Sequence, residues 1–215
     1  MRRNWWSFGG FVDEREEDLR TRFLDTCNHE GGHLLLAADL STDAVKEVRV
    51  DPPRPGETFE GVTGVDLARV APEVVPLVAL AGCLAEAKRG AERLYGIGAT
   101  FSYHWDTALN FLWLTLGKVS RRRSGQLFYQ PFDLVLDDGQ QVHGNGYFTA
   151  VDLLHIPDDV LKDDDLLERA MTRTARHLDR SRNWQRCCAM ADALAGSPGK
   201  VFSRDEALSI VAARR

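Results

Sequence analysis

A mainly α domain carrying a small β-sheet, an α+β fold, is what this sequence predicts. Two observations lead there. Long stretches place apolar residues at helical spacing: Leu19, Phe23, Leu24, Cys27, Leu34 and Leu35 early in the chain, and Leu167, Met171, Ala175 and Leu178 late in it. Between them lie short apolar runs among charged residues, of which Val45, Val48 and Val50 are the clearest, followed by a Pro- and Gly-rich loop at 51–56.

Residues 1–12 read as an aromatic lead-in, with Trp5, Trp6, Phe8 and Phe11, and residues 13–215 as one domain. A first helix is expected over 13–40, then a strand at 45–50 and a partner strand at 58–65. Residues 73–90 form a strongly apolar helix, and Gly90, Gly96 and Gly98 break the chain after it. A further helix is expected over 103–116. Residues 119–157 read as an insertion with hairpin character: Leu127, Tyr129, Phe132, Leu134 and Leu136 lead to the turn Asp137-Asp138-Gly139, and a return strand falls within 142–151. The Leu167–Leu178 helix is followed by a second with Trp184, Cys188, Ala191 and Leu194 on its inner face, stopped at 196–199. Ser203 and Glu206 have the spacing of a capping box opening a last helix, with Leu208 and Val211 inward.

Composition narrows the functional classes. The chain has 215 residues, 44% hydrophobic and 27% charged, which is the balance of a globular protein with a full core. A net charge of −5 argues against a nucleic-acid partner, and Arg121-Arg122-Arg123 reads as a solvated loop. No apolar segment follows Met1-Arg2-Arg3, and the most apolar stretch, 74–87, contains Pro76 and is shorter than the roughly 20 residues a bilayer needs. A cytoplasmic protein without a membrane partner is the expectation, with a homo-oligomer left open. Of the four cysteines, Cys187 and Cys188 are adjacent and Cys27 and Cys83 stand alone, so buried thiols are expected rather than disulfides or a cysteine metal site.

The chemistry is concentrated in His29-Glu30-Gly31-Gly32-His33. On a helix, residues four apart share a face, so both imidazoles can aim at one ion. Glu30 projects from the next position round, within reach of a water on that ion but turned away from ligation. This is the H-E-x-x-H arrangement of zinc hydrolases, in which Zn2+ acidifies water and the glutamate takes its proton. Two glycines inside a helix cost about 1 kcal/mol each relative to alanine. They call for a reason, either close approach of another backbone or of a substrate beside the metal. Catalytic zinc usually takes a third protein ligand. Asp106, near the start of an amphipathic helix, and Glu86, on the apolar helix, are the candidates. A carboxylate on so apolar a helix needs a partner, which makes Glu86 either a ligand or a group that orients a histidine. His104 lies two residues from Asp106 and points elsewhere on a helix; it and Tyr103 are candidates to touch substrate.

The pattern resembles the zinc peptidase domain of the FtsH-type membrane-bound, ATP-dependent proteases. Asn28-His29-Glu30-Gly31-Gly32-His33-Leu34 matches that family's first-helix motif, Gly82-Cys83-Leu84-Ala85-Glu86 its G-x-x-A-E signature, and Asp106-Thr107-Ala108 the segment bearing its third ligand. The order of these motifs, the intervening strand pair and the helical tail extend the likeness over roughly residues 15–118 and 160–213. The resemblance implies His29, His33 and Asp106 as zinc ligands, Glu30 as general base, Glu86 beside a histidine, and a peptide or unstructured polypeptide as substrate. There are departures. These residues contain no G-x-x-x-x-G-K-[ST] phosphate loop, Gly31 stands where the family has alanine, and an aromatic run, 101–105, precedes Asp106. An ATP-independent, stand-alone peptidase is the resulting expectation. A zinc amide hydrolase acting on a small molecule or modified peptide is the first alternative, and a non-catalytic regulatory protein that keeps the fold is the second. Iron, cobalt or manganese suit the same donors as zinc.

Overall fold

The computed structural model describes residues 3–4, 12–13, 16–52, 61–95, 129–135, 141–147, 155–157, 159–160 and 163–213. Among these it is mainly helical, with a three-stranded antiparallel sheet and two two-stranded ribbons. The first ribbon pairs β1 (Arg3–Asn4) with β2 (Val12–Asp13). That pairing holds residues 12–13 extended, so the long helix α1 runs Glu16–Leu40 and begins later than the expected residue 13.

α1 is the spine of the molecule. One side packs on α2 (Val75–Tyr95), another on α4 (Ser181–Gly196), and the sheet lies along it. Gly31 and Gly32 explain themselves here. A Cβ on Gly31 would stand 2.9 Å from the Cys187 carbonyl oxygen of α4, and one on Gly32 only 2.5 Å from the Ala81 carbonyl oxygen of α2. The close neighbour is helix backbone on both sides, which is the first of the two reasons the sequence left open. α2 continues to Tyr95 and does not stop at Gly90. Its last turns are anchored from outside by Trp184, whose Nε1 donates to Glu92 Oε1 at 2.6 Å, and supported within the helix by Arg89, which pairs with Glu92 at 3.1 Å. Such contacts outweigh the roughly 1 kcal/mol that one interior glycine costs.

The sheet has the order β4-β3-β7, with β3 (Val45–Val50) central, β4 (Gly61–Val65) on one edge and β7 (Phe202–Ser203) on the other. Val45 and Val48 are three apart, out of step with a strand's period of two, yet both are buried. A register shift between Val45 and Glu47 absorbs the odd residue and returns Val48 and Val50 to the inner face. The second ribbon, β5 (Tyr129–Val135) with β6 (Gln141–Tyr147), falls where the hairpin was expected. The expected helix at 103–116 lies outside the described residues.

α3 (Asp164–Asp179) is capped by Asp163, whose Oδ1 accepts from Leu166 N at 3.0 Å. It buries Leu167, Met171, Ala175 and Leu178, as its spacing predicts. On α4 the buried thiol is Cys187, and Cys188 is only partly covered; the inner face is Trp184, Cys187, Ala191 and Leu194, one residue off the expected set. α5 (Arg204–Ala212) opens with the Ser203–Glu206 capping box and buries Val211, with Leu208 partly buried against the core. All four cysteines are free thiols, three of them buried. No helix among the described residues is long and apolar enough to cross a membrane.

Candidate metal centre

His29 and His33 lie one turn apart on α1, and both are buried. Their rings meet nearly edge to face, at 73° with centroids 4.7 Å apart, and their Nε2 atoms are 3.0 Å from each other. The other nitrogen of each ring faces an acceptor on α2. His33 Nδ1 donates to the Val78 carbonyl at 2.7 Å, and His29 Nδ1 donates to Glu86 Oε2 at 3.3 Å. A carbonyl and a carboxylate can only accept, so in each neutral ring the proton sits on Nδ1 and the lone pair on Nε2. Two Nε2 atoms then face each other at 3.0 Å, an approach that a cation between them, or a proton on one ring, makes favourable. That is the donor arrangement of a histidine pair on a divalent cation, with the tautomer set by the groups behind the rings.

α2 is shaped to allow this. Val78, Gly82 and Glu86 are spaced by four and form one stripe of the helix. Gly82 is the crux, since a Cβ there would run into Nε2 of both histidines. The missing side chain also keeps the second lone pair of the Val78 carbonyl, one turn back, within reach of His33. If the pair holds zinc, Gly82→Ala is expected to weaken its binding by about 10- to 100-fold, the scale of lost support behind a ligand. Chelator competition on the folded variant measures it, and unchanged affinity would show that the space over the imidazoles is not the metal's.

Glu30 stands one residue round from His29, on the side facing β4. Its carboxylate is buried against that strand: Thr63 Oγ1 lies 2.6 Å from Oε2 and 3.1 Å from the Glu30 carbonyl oxygen, and a Cβ on Gly61 would overlap the carboxylate. The nearby thiols stay protonated. Burial, helped by the charges of Glu30 and Asp25, pushes Cys27 up to about 12, and burial also raises Cys187.

The structure thus brings His29, Glu30, His33 and Glu86 together. Asp106, Tyr103 and His104 lie outside the described residues. Among the described residues no group of three or more His, Cys, Asp or Glu side chains is arranged to hold a metal ion, because Glu86 faces the back of His29 and Glu30 faces β4. Two imidazoles are the donors in hand, and their tautomers, convergence and glycine-lined cradle fit zinc. Gly61, Thr63 and the Val78 carbonyl were not singled out from the sequence. They reach the site only through packing of α2 and β4 on α1. No protein-family model matches the chain, and no curated protein matches it.

Proposed function

We propose that this chain is an ATP-independent zinc metallopeptidase with an FtsH-peptidase-like fold, working in the cytoplasm on peptides or unstructured polypeptides. The observation that carries the reading is the histidine pair: two Nε2 atoms 3.0 Å apart, each ring held from behind by an acceptor on α2, beside a buried glutamate. His29 and His33 would hold the ion, with Asp106 as the third ligand on the strength of the family resemblance. Zinc in such a site acidifies water and polarises a scissile carbonyl. Glu30 takes the proton of the attacking water and returns it to the leaving amine. Glu86 fixes the His29 ring and favours its Nδ1–H tautomer. β4 pairs with β3 alone among the described strands, so its outer edge offers main-chain groups to an extended substrate next to Glu30.

The test combines metal content with hydrolysis of an unfolded protein. Wild type should bind zinc and cleave it. Cleavage only of a small amide would move the reading to a small-molecule hydrolase, and a zinc-loaded protein inert to every substrate would move it to a regulatory role. The ligand assignment has its own check. Asp106→Ala should weaken zinc binding more than Glu86→Ala, for which a loss of about 10- to 100-fold is expected. The reverse order, measured by chelator competition, would make Glu86 the ligand and remove Asp106.

A further inference from the structure

We propose that Gly61 and Thr63 are positioning residues for this hydrolysis: the inner face of β4 clamps the Glu30 carboxylate in the orientation in which it accepts the proton. The inference rests on the hydrolase reading for its catalytic meaning, and on the packing of β4 against α1 for its geometry. Residues two apart share a strand face, so Gly61 and Thr63 point the same way. Gly61 contributes space. A Cβ there would overlap Glu30 Oε1, Cδ and Cγ, so only glycine lets the strand lie flush on the carboxylate. Thr63 contributes a donor. Its single hydroxyl proton is best placed on Glu30 Oε2, 2.6 Å away, with the Glu30 carbonyl oxygen at 3.1 Å the poorer acceptor, so the carboxylate is held against the strand.

The strand itself is held in place. Thr63 stands opposite Val48 and Gly61 opposite Val50, and both valines are buried in the core. A glutamate side chain has three rotatable bonds and loses rotamer freedom when ordered. Held as it is, it meets that cost on folding rather than at each turnover. Displacing a catalytic group by about 1 Å can cost on the order of 100-fold in rate.

The experiment uses the full chain with zinc bound, and three variants: Thr63→Val, Thr63→Ser and Gly61→Ala. Four quantities are read: zinc content, kcat and KM on fluorescently labelled unfolded casein, and the Glu30 position in crystals of each variant. Thr63→Val should keep its zinc and its KM within about threefold and lose kcat by about 10- to 100-fold, with the carboxylate moved from its wild-type place. Thr63→Ser, which restores the donor, should return kcat to within about threefold and the carboxylate to its place. Gly61→Ala should displace the carboxylate sterically and lose kcat with zinc retained. Wild-type kcat in Thr63→Val with Glu30 unmoved would overturn the proposal and leave the hydrolase reading standing. A wild type inert on every substrate, with the carboxylate moving in Thr63→Val but not in Thr63→Ser, would overturn the hydrolase reading and leave the clamp standing. Loss of kcat in Thr63→Ser equal to that in Thr63→Val would overturn the proposed clamp and leave the hydrolase reading standing.

Discussion

Glu30→Gln is expected to lower kcat/KM by on the order of 1,000-fold, the middle of the range for a lost general base. Zinc content and thermal stability should stay at wild-type values. The substitution is close to isosteric, and the amide oxygen can still accept from Thr63, whose hydroxyl is 2.6 Å from the native Oε2. Neither proposed metal donor is altered, because His29 and His33 keep their acceptors at Glu86 and the Val78 carbonyl. What disappears is the capacity to take a proton. Steady-state kinetics with metal analysis on the same preparation separate the two effects. Full activity in the variant would remove Glu30 from the mechanism, and loss of zinc would show it to be a ligand.

Asp39→Ala is expected to destabilise the fold by about 3–5 kcal/mol, the cost of leaving a buried charge without its partner. Asp39, near the end of α1, accepts from Arg186 Nη1 at 2.9 Å and Nη2 at 2.7 Å, and from His177 Nε2 at 2.9 Å. Arg186 Nε in turn donates to the Val211 carbonyl at 2.7 Å. One carboxylate therefore joins α1, α3, α4 and α5. The Arg186 side chain is only 6% exposed, so water cannot replace Asp39 around it. For a chain of this size a melting-temperature drop of roughly 6–20 °C corresponds to that loss. A shift of a degree or two would show that the cluster does not hold the helices.

The same carboxylate sets an acid limit. Burial alone would raise its pKa, but the hydrogen bonds from His177 and Arg186, with the charge of Arg186, overcome that and lower it from 3.8 to about 2. A folded-state pKa below the unfolded value stabilises the fold at pH above about 4, and that stability fades as the pH falls toward 2. With partial solvent screening its size is about 1–2 kcal/mol. Denaturant curves should show a loss between pH 4 and 2 that is smaller in Asp39→Asn than in wild type by this amount; the Glu206 carboxylate, also held low, titrates over the same range in both.

How much of this was legible in the sequence follows from the range of each interaction. The histidine pair and the Ser203–Glu206 box were readable because a helix brings residues three or four apart together whatever surrounds it. The valines of β3 were readable as inward-facing, but their odd spacing needed a bulge that no local rule announces. Gly90 misled because glycine punctuation is local, whereas Trp184 anchoring Glu92 is a contact across 92 positions. Cys188 was chosen over Cys187 because α4 is apolar at both, and only the backbone of Gly31 decides which one is covered. The Asp39–Arg186 pair spans 147 positions and Thr63–Glu30 spans 33, and neither leaves a periodic trace.

The paired glycines of α1 have a consequence for how the protein would meet its ion. A helix whose glycines sit this close to the backbones of two others can neither roll nor slide without opening both contacts at once. Its amides between positions 28 and 35 should then exchange with solvent only through global unfolding. If the histidine pair holds a metal, its two imidazoles stand on a helix that is already fixed, unlike in a zinc finger, where the ion is what folds the domain. Removal of such an ion should then leave α1 seated as before on α2 and α4.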